Sequence, residues 1–433
     1  MSAGSRILSV LLICLGTFLY GEVTAAPITF GTITTEVDGW AREAFLLSFL
    51  SIDKDASFPD QLALESYLKQ KEQKLINKRL FTDVKISYSL DEDNPSVADV
   101  VVYVKDGAPV FGLPFYKYNS NYGHQFGAVL WMYDFFGSLT NVMVSGGYST
   151  TSFDDDPFRK VDWDVSLDWK KIDFFNFSWD LSARQQFKTE SLVDYETDVY
   201  EQFYTYHQSG LDFSTSANFL DLFTYSFKPT FRWKYGYDVT VGDINTSTKL
   251  TAGLSHSLGY GAINWFGNMR RGYSVSVGQS FAYDFFEDKA DNVLNLRYRG
   301  FLPWWIFQLS TQANLGYNLE GDLIGTGGDL RGVLDSRLSG QLTFIENFDI
   351  STKLFTVPKI MDVYGGSFID VGVMKREGRS VDSPYYSAGI EGLFYPLPFK
   401  SMTIRGTFGV DMRAFAEGDY SKWELDISQD LFY

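Results

Sequence analysis

The sequence predicts a transmembrane β-barrel of sixteen antiparallel strands, preceded by one small α+β domain. Three observations lead to this prediction. Aromatic residues make up 17% of the 433 residues, which is high for a soluble globular chain. Beyond residue 19 there is no run of about eighteen apolar residues, so membrane-spanning helices are excluded. Segment after segment instead alternates apolar and polar residues, as in strands with one face in lipid and the other in a wet lumen.

The first 26 residues have the features of a secretory signal. Arg6 precedes an apolar run at 7–19, and Thr24-Ala25-Ala26 fits a cleavage site made of small residues. The only cysteine, Cys14, lies inside the apolar run, whereas a lipoprotein signal would place it at the end. We therefore expect a mature chain that begins at residue 27, enters a disulfide-permissive compartment and contains no thiol.

Residues 27–107 form the predicted α+β domain. Apolar residues at helical spacing predict a first helix at 41–50, and Pro59 predicts the start of a second helix, where its missing N–H is tolerated. Alternation predicts three strands, at 30–37, 84–90 and 97–104. The expected order of elements in this domain is therefore β-α-α-β-β.

Residues 108–433 form the predicted barrel, and the segment 160–170 shows the pattern most clearly. One of its faces is entirely apolar, with Val161, Trp163, Val165, Leu167 and Trp169, and the other face is mostly charged. The segments 225–237 and 402–413 repeat this pattern. Because lipid offers no partner to a backbone N–H or C=O, such a sheet must close on itself. Sixteen segments of this kind begin near Val110, Gly123, Asn141, Lys160, Asn176, Phe203, Tyr225, Thr246, Arg271, Asp291, Phe307, Leu342, Asp362, Tyr385, Ser401 and Lys422.

Composition and motifs also exclude several classes of function. The formal net charge of −17 argues against nucleic acid as a partner, because few side chains could neutralise phosphates. The three histidines, His124, His207 and His256, lack the spacing of metal ligands, and no G-x-S-x-G motif occurs. We expect no enzyme activity, no metal and no other cofactor.

Two motifs of the barrel carry the candidate site. Leu330-Arg331-Gly332-Val333 ends a glycine-rich stretch at 325–333, in the predicted sixth outer loop between the eleventh and twelfth strands. In the thirteenth strand, alternation turns Phe368, Asp370 and Gly372 inward, and in the twelfth it turns Asp349 inward. A guanidinium in a partly desolvated lumen needs planar acceptors, so we expect Arg331 to meet Asp370 and Asp349. The alternatives are that Arg331 is a solvated cation of the loop, or that the pair braces the loop without taking part in transport.

These motifs resemble those of the superfamily of POTRA-plus-barrel outer-membrane proteins, the bacterial surface antigen family, which includes the BamA/TamA assembly factors and the two-partner secretion pores. The sixth outer loop of that superfamily carries (V/I/L)-R-G-(F/Y), from which this chain departs only at Val333. The thirteenth strand carries F-x-D-x-G, which Phe368 to Gly372 match fully. Asn347-Phe348-Asp349-Ile350 resembles a stretch of the twelfth strand, with aspartate in place of glutamate. The segment Asn77-Lys-Arg-Leu-Phe-Thr-Asp-Val84 resembles a POTRA domain.

The resemblance implies a single-POTRA member whose sixth loop folds into the lumen, with Arg331 held by Asp370. It implies an outer-membrane location in a diderm bacterium, with membrane lipid around the barrel and the POTRA domain in the periplasm. The implied function is to insert or translocate unfolded outer-membrane or secreted polypeptides, with periplasmic chaperones or accessory subunits as further partners. The alternatives are a passive diffusion pore or structural barrel without clients, and an outer-membrane hydrolase, which the missing catalytic constellation disfavours.

The first and last barrel strands are expected to form a weak seam. Alternation turns Trp423 and the terminal Tyr433 of the last strand outward. The first strand contains Gly112 and Pro114; glycine offers no side chain to pack, and proline cannot donate to the hydrogen-bond ladder. A seam with few hydrogen bonds could open sideways and admit a strand of a client polypeptide.

Overall fold

A computed structural model of the protein describes residues 27–107, 110–119, 123–132, 141–151, 160–174, 177–193, 200–219, 222–286, 288–320, 330–333, 340–376, 378, 380–397, 400 and 402–431. The predicted signal, Cys14, the stretch 325–329 and Tyr433 lie outside the described residues. Within the described ranges no helix has the length and apolar character needed to cross a membrane.

The N-terminal domain is a four-stranded sheet covered by two helices. Its elements are strand β1 (Ile28–Asp38), helix α1 (Glu43–Leu50), strand β2 (Ser57–Phe58), helix α2 (Gln61–Ile76), strand β3 (Phe81–Leu90) and strand β4 (Val97–Asp106). The strand order is β2-β1-β4-β3, and β1 runs parallel to β4 while the other pairs are antiparallel. Leu46, Leu64 and Leu75 of the helices pack with Val100 and Val102 of β4 in a fully buried core.

Two details of this domain differ from the sequence-based prediction. A two-residue strand, β2, lies between the helices and pairs with the start of β1, so the order is β-α-β-α-β-β. Helix α2 begins at Gln61 rather than at Pro59. Asp60 caps it, because its side chain accepts a hydrogen bond from the Ala63 N–H at 2.7 Å. Pro59 therefore lies one residue before the cap. The cap position needs a side-chain acceptor for a free helix N–H, and proline has none.

The barrel contains sixteen antiparallel strands, and the last pairs with the first to close it. The strands are β5 (Val110–Asn119), β6 (Gly123–Met132), β7 (Asn141–Thr151), β8 (Lys160–Phe174), β9 (Phe177–Val193), β10 (Tyr200–Phe219), β11 (Phe223–Val241), β12 (Lys249–Phe266), β13 (Met269–Asp284), β14 (Lys289–Trp304), β15 (Phe307–Asn318), β16 (Leu342–Val357), β17 (Met361–Lys375), β18 (Tyr385–Pro396), β19 (Met402–Asp411) and β20 (Trp423–Leu431). The predicted fold class is confirmed, and each strand begins within three residues of its predicted position.

The outer surface of the barrel is apolar, as the alternation predicts. Val165, Leu167 and Trp169 of β8, with Phe231 and Trp233 of β11, are exposed large apolar side chains. The same strands direct polar side chains to the lumen.

One predicted strand was too long. The segment 402–413 ends as a strand at Asp411, and a short helix, α3 (Met412–Ala416), follows. The Asp411 side chain accepts hydrogen bonds from the N–H groups of Arg413 at 2.9 Å and Ala414 at 3.1 Å, so it caps the helix. Arg413 therefore lies in α3 and is not an inward residue of a strand.

The N-terminal domain contacts the barrel through the residues that follow α2. The Asn77 side chain donates to Asn264 Oδ1 at 2.9 Å and accepts from the Trp265 N–H at 3.0 Å. The buried Arg79 guanidinium donates to the Gly267 carbonyl at 3.0 Å and lies 4.1 Å from the Trp265 ring centroid. These contacts lie at the β12–β13 turn and define the end of the barrel that faces the N-terminal domain.

Candidate functional site

The four residues of the loop motif, Leu330 to Val333, follow β15 and precede β16 in the sequence. In the structure they lie inside the barrel. Gly332 has a φ angle of 88°, in the region that favours glycine. Its Cα packs against β19, where an added Cβ would lie 2.7 Å from the carbonyl carbon of Gly409. The loop can lie this close to the barrel wall because both facing residues are glycines.

Arg331 makes charge-assisted hydrogen bonds to two strands. Its Nε donates to Asp370 Oδ2 at 2.9 Å, and one terminal nitrogen donates to Asp370 Oδ1 at 2.6 Å, which together form a bidentate pair. The other terminal nitrogen donates to Asp349 Oδ1 at 2.6 Å. The backbone N–H of Arg331 also donates to Asp370 Oδ2, at 3.0 Å. The structure thus brings Arg331, Asp370 and Asp349 together.

The Arg331–Asp370 pair is buried, so losing either partner would raise the free energy of the folded loop. The Asp370 side chain is 0% exposed and that of Arg331 is 18% exposed. The Phe368 ring lies below the guanidinium, with 3.8 Å between the guanidinium carbon and the ring centroid. Among the described residues, a buried Asp370 carboxylate that lost its cation would keep one donor, the Arg331 backbone N–H, so the loop motif and β17 depend on each other.

The apolar residues of the loop motif anchor it to the barrel wall. Leu330 and Val333 are buried and pack with Ile345 of β16 and Met374 of β17. Gly372 makes room for this anchor, because a Cβ there would lie 2.5 Å from Leu330 Cδ1. Val333 stands where the superfamily motif has an aromatic residue, and its side chain is buried in this apolar cluster.

Two acidic residues of the site were not assigned to it from the sequence. The Glu391 carboxylate of β18 lies 3.7 Å from a terminal nitrogen of Arg331, with a side chain 3% exposed. The Glu424 carboxylate of β20 accepts the Gly332 N–H. Alternation turns Glu424 inward, but nothing in the local sequence shows which loop atom it meets. Through these contacts the loop motif reaches β16, β17, β18 and β20.

The second part of the candidate site is the β20–β5 seam, where the barrel closes. Among the described residues two pairs join these strands, Asp426 with Asn119 and Ile427 with Tyr118. The neighbouring strand pairs are much longer, with nine residue pairs between β19 and β20 and ten between β5 and β6.

The described pairing between β5 and β20 does not extend to Gly112 and Pro114, the positions of β5 at which a weak seam was predicted. Continuing the same antiparallel register would place Ser428 to Leu431 opposite Lys117 to Pro114, but those pairs are not formed between the described strands. Gly112 and Pro114 do pair with β6, opposite Leu130 and Ala128. Trp423 of β20 is exposed on the outer surface, and Tyr433 lies outside the described residues.

The fold and the site together define a class of protein. It is a sixteen-strand barrel with a small α+β domain before the first strand, an inward loop held by an arginine–aspartate pair, and a short closing seam.

Solved structures of two kinds of protein share this fold. CdiB from Acinetobacter baumannii is 13% identical, with a TM-score of 0.60 over 95% of this chain and 74% of that one. CdiB from Escherichia coli is also 13% identical, with a TM-score of 0.60 over 92% and 76%. BamA from Haemophilus ducreyi lacking POTRA domains 1–3 is 12% identical, with a TM-score of 0.51 over 94% and 85%.

The similarity of this chain to known proteins lies in its fold. No family model matches the sequence, and no curated protein matches it. The fold shared with BamA and CdiB confirms the predicted resemblance to the BamA-like barrels. At 12–13% identity this resemblance concerns the fold alone, so the function is argued from the site.

Proposed function

We propose that this protein helps outer-membrane or secreted polypeptides to insert into, or cross, the outer membrane of a diderm bacterium. The observation that carries the proposal is the β20–β5 seam, which in the described part of the chain has two residue pairs, whereas the neighbouring strand pairs have nine and ten. The part of β5 from Val110 to Lys117 has no partner on its β20 side among the described residues. An unpaired strand edge is a template for adding a strand of another chain.

The N-terminal domain offers a second strand edge. Strand β3 lies at the end of the sheet order β2-β1-β4-β3 and is ten residues long, and its only strand partner among the described residues is β4. An extended polypeptide could pair with this edge through main-chain hydrogen bonds. In the proposed function, this domain is a POTRA domain in the periplasm, and it captures an unfolded client before the client reaches the seam.

The inward loop supports the seam from inside the lumen. Arg331 is held by Asp370 of β17 and Asp349 of β16, and the neighbouring Gly332 N–H bonds to Glu424 of the seam strand β20. Release of the loop would remove a hydrogen bond to β20. We infer that the loop keeps the seam strand in place until a client displaces it.

Periplasmic chaperones or accessory subunits would deliver clients to this site, and the apolar outer surface would face outer-membrane lipid. A passive diffusion pore is the alternative, and the lumen supplies an observation in its favour. A polar cavity of about 830 Å³ lies in the lumen and is lined mostly by serine, threonine, asparagine and glutamine side chains. A pore needs such a lumen but does not need a seam that opens.

A disulfide across the seam tests the proposal. Tyr118 and Ile427 are directly opposite, so the double variant Tyr118→Cys and Ile427→Cys places two thiols across β5 and β20. The bacterium's own copy is depleted, the variant is expressed, and the outer-membrane proteome is measured with and without a reductant. We expect the locked form to lower the content of other outer-membrane or secreted proteins, and the reductant to restore it.

The control is a disulfide between strands that need not separate. Phe408 and Leu425 are opposite each other on β19 and β20, so Phe408→Cys with Leu425→Cys adds a bond to a pair that is already long. This variant should behave like the unmodified protein. A seam-locked form that retains full activity would reject insertion through the seam and leave the passive pore as the better explanation.

A further inference from the structure

A second, smaller cavity lies in the lumen at the end that faces the N-terminal domain. It has a volume of about 310 Å³ and is lined by side chains of β13 to β19. Three arginines from different strands line it: Arg270 of β13, Arg299 of β14 and Arg405 of β19. Its position beside the β12–β13 turn places it next to the residues that hold Arg79 of the N-terminal domain.

Arg270 is held by aromatic rings rather than by a carboxylate. Its guanidinium carbon lies 3.8 Å from the ring centroid of Phe301 and 5.2 Å from that of Trp265. Its backbone N–H donates to Gln308 Oε1 at 2.8 Å, which fixes the start of β13. A guanidinium stacked on an aromatic face still has its N–H edge free to bind a planar oxyanion.

The charges around the cavity do not balance. Arg331 also lines it, but that side chain is bound to Asp370 and Asp349, with Glu391 nearby. Among the described residues neither Arg270 nor Arg299 forms an ion pair. Four arginines line the cavity, Arg331 among them, against two acids, Asp349 and Glu391, whereas the chain as a whole carries a formal net charge of −17. Repulsion between Arg270 and Arg299 would be relieved by a bound anion.

We propose that this arginine-lined cavity is a binding site for a carboxylate group. The planar fork of a guanidinium matches a carboxylate, which can accept two of its N–H groups at once. A volume of about 310 Å³ corresponds to roughly ten water molecules at about 30 Å³ each. The cavity therefore takes one acidic side chain or a small organic acid, and excludes a folded domain.

The carboxylate has two possible sources, which share the same chemistry. It is either a free small organic acid in the lumen or an acidic residue of an extended polypeptide that enters from the side of the N-terminal domain. The site does not depend on opening of the β20–β5 seam, so its test is independent of the cysteine lock.

Calorimetric titration of the full chain in a neutral detergent at low salt tests the proposal. The probes are citrate and a short amidated peptide with two aspartates, and the peptide's control has two asparagines. We expect saturable binding of citrate, of the aspartate peptide, or of both, that weakens as NaCl is added. Arg270→Gln and Arg299→Gln should each weaken it by about tenfold or more, as expected for a lost hydrogen bond to a charged group.

Arg297→Gln is the matched control. Arg297 lies two residues before Arg299 on the lumenal face of β14, but its Nε donates to Asn314 Oδ1 at 2.8 Å and it lines the larger cavity. It should change the affinity by less than about threefold, because its side chain lines the other cavity and acts on the bound anion only through screened long-range attraction. Heat-modified gel mobility shows that each variant is folded.

The outcomes separate the two sources and can also reject the site. Binding of citrate alone identifies a free organic acid, and binding of the aspartate peptide but not its asparagine control identifies an acidic polypeptide segment. Absence of saturable binding for both probes overturns the proposal, as does an Arg297→Gln variant that binds as weakly as Arg299→Gln.

Discussion

Replacing Arg331 with alanine is expected to release the inward loop from the barrel wall. The substitution removes three hydrogen bonds from the guanidinium and leaves the fully buried Asp370 carboxylate without a cation. Removing one partner of a buried ion pair costs about 3–5 kcal/mol, which corresponds to an about 100- to 5,000-fold larger population of the released loop. Arg331→Lys keeps the charge but cannot form the bidentate pair, so the population should rise only about 10- to 100-fold.

Hydrogen–deuterium exchange of the folded protein in detergent measures this population. The Gly332 N–H is bonded to Glu424 only while the loop is held, so its exchange rate follows release of the loop. We expect a large acceleration for Arg331→Ala and an intermediate one for Arg331→Lys. The double variant Arg331→Ala with Asp370→Asn should exchange its Gly332 N–H more slowly than Arg331→Ala does, because it no longer buries an unpaired charge.

The control is Arg232→Ala, which removes another lumenal arginine paired with an aspartate, Asp212 of β10. That pair is more exposed and distant in sequence from the loop, so exchange at Gly332 should not change. The reasoning is refuted if Arg331→Ala accelerates exchange by less than about threefold, or if Arg232→Ala accelerates it equally.

Three further predictions test the packing that supports the site. Gly332→Ala should displace the loop and accelerate its exchange as Arg331→Ala does, because the new Cβ meets Gly409. Gly418→Ala is the control: Gly418 has a similar φ angle of 90° but open space around it, so exchange in the loop should not change. Residues 27–107 expressed alone should be a folded monomer by circular dichroism, since the domain has its own core; a disordered product would contradict this. Arg79→Ala should leave that fold intact but increase exchange at the barrel turn it contacts, and unchanged exchange there would count against the docking contact.

Strand positions, strand faces and the acidic partners Asp370 and Asp349 could all be predicted from the sequence. Alternation with a period of two is a local property, because each side chain points away from its neighbours whatever the strand pairs with. The charged lumenal face and apolar outer face therefore specify both a closed sheet and the direction of each residue. The arginine of the loop motif was identified through the resemblance to the superfamily motif, which implies an inward loop, and the need of a buried guanidinium for planar acceptors agrees with that.

The remaining features depend on contacts between residues far apart in sequence. Glu391 and Glu424 join the site only after the loop folds inward and meets β18 and β20, which follow it by more than fifty residues in the chain. The length of the β20–β5 seam depends on closure of the whole barrel, since these strands lie at opposite ends of it in sequence. The docking of Arg79 and the arginine-lined cavity have the same origin: each combines side chains from separate strands, and no local pattern encodes which of them meet.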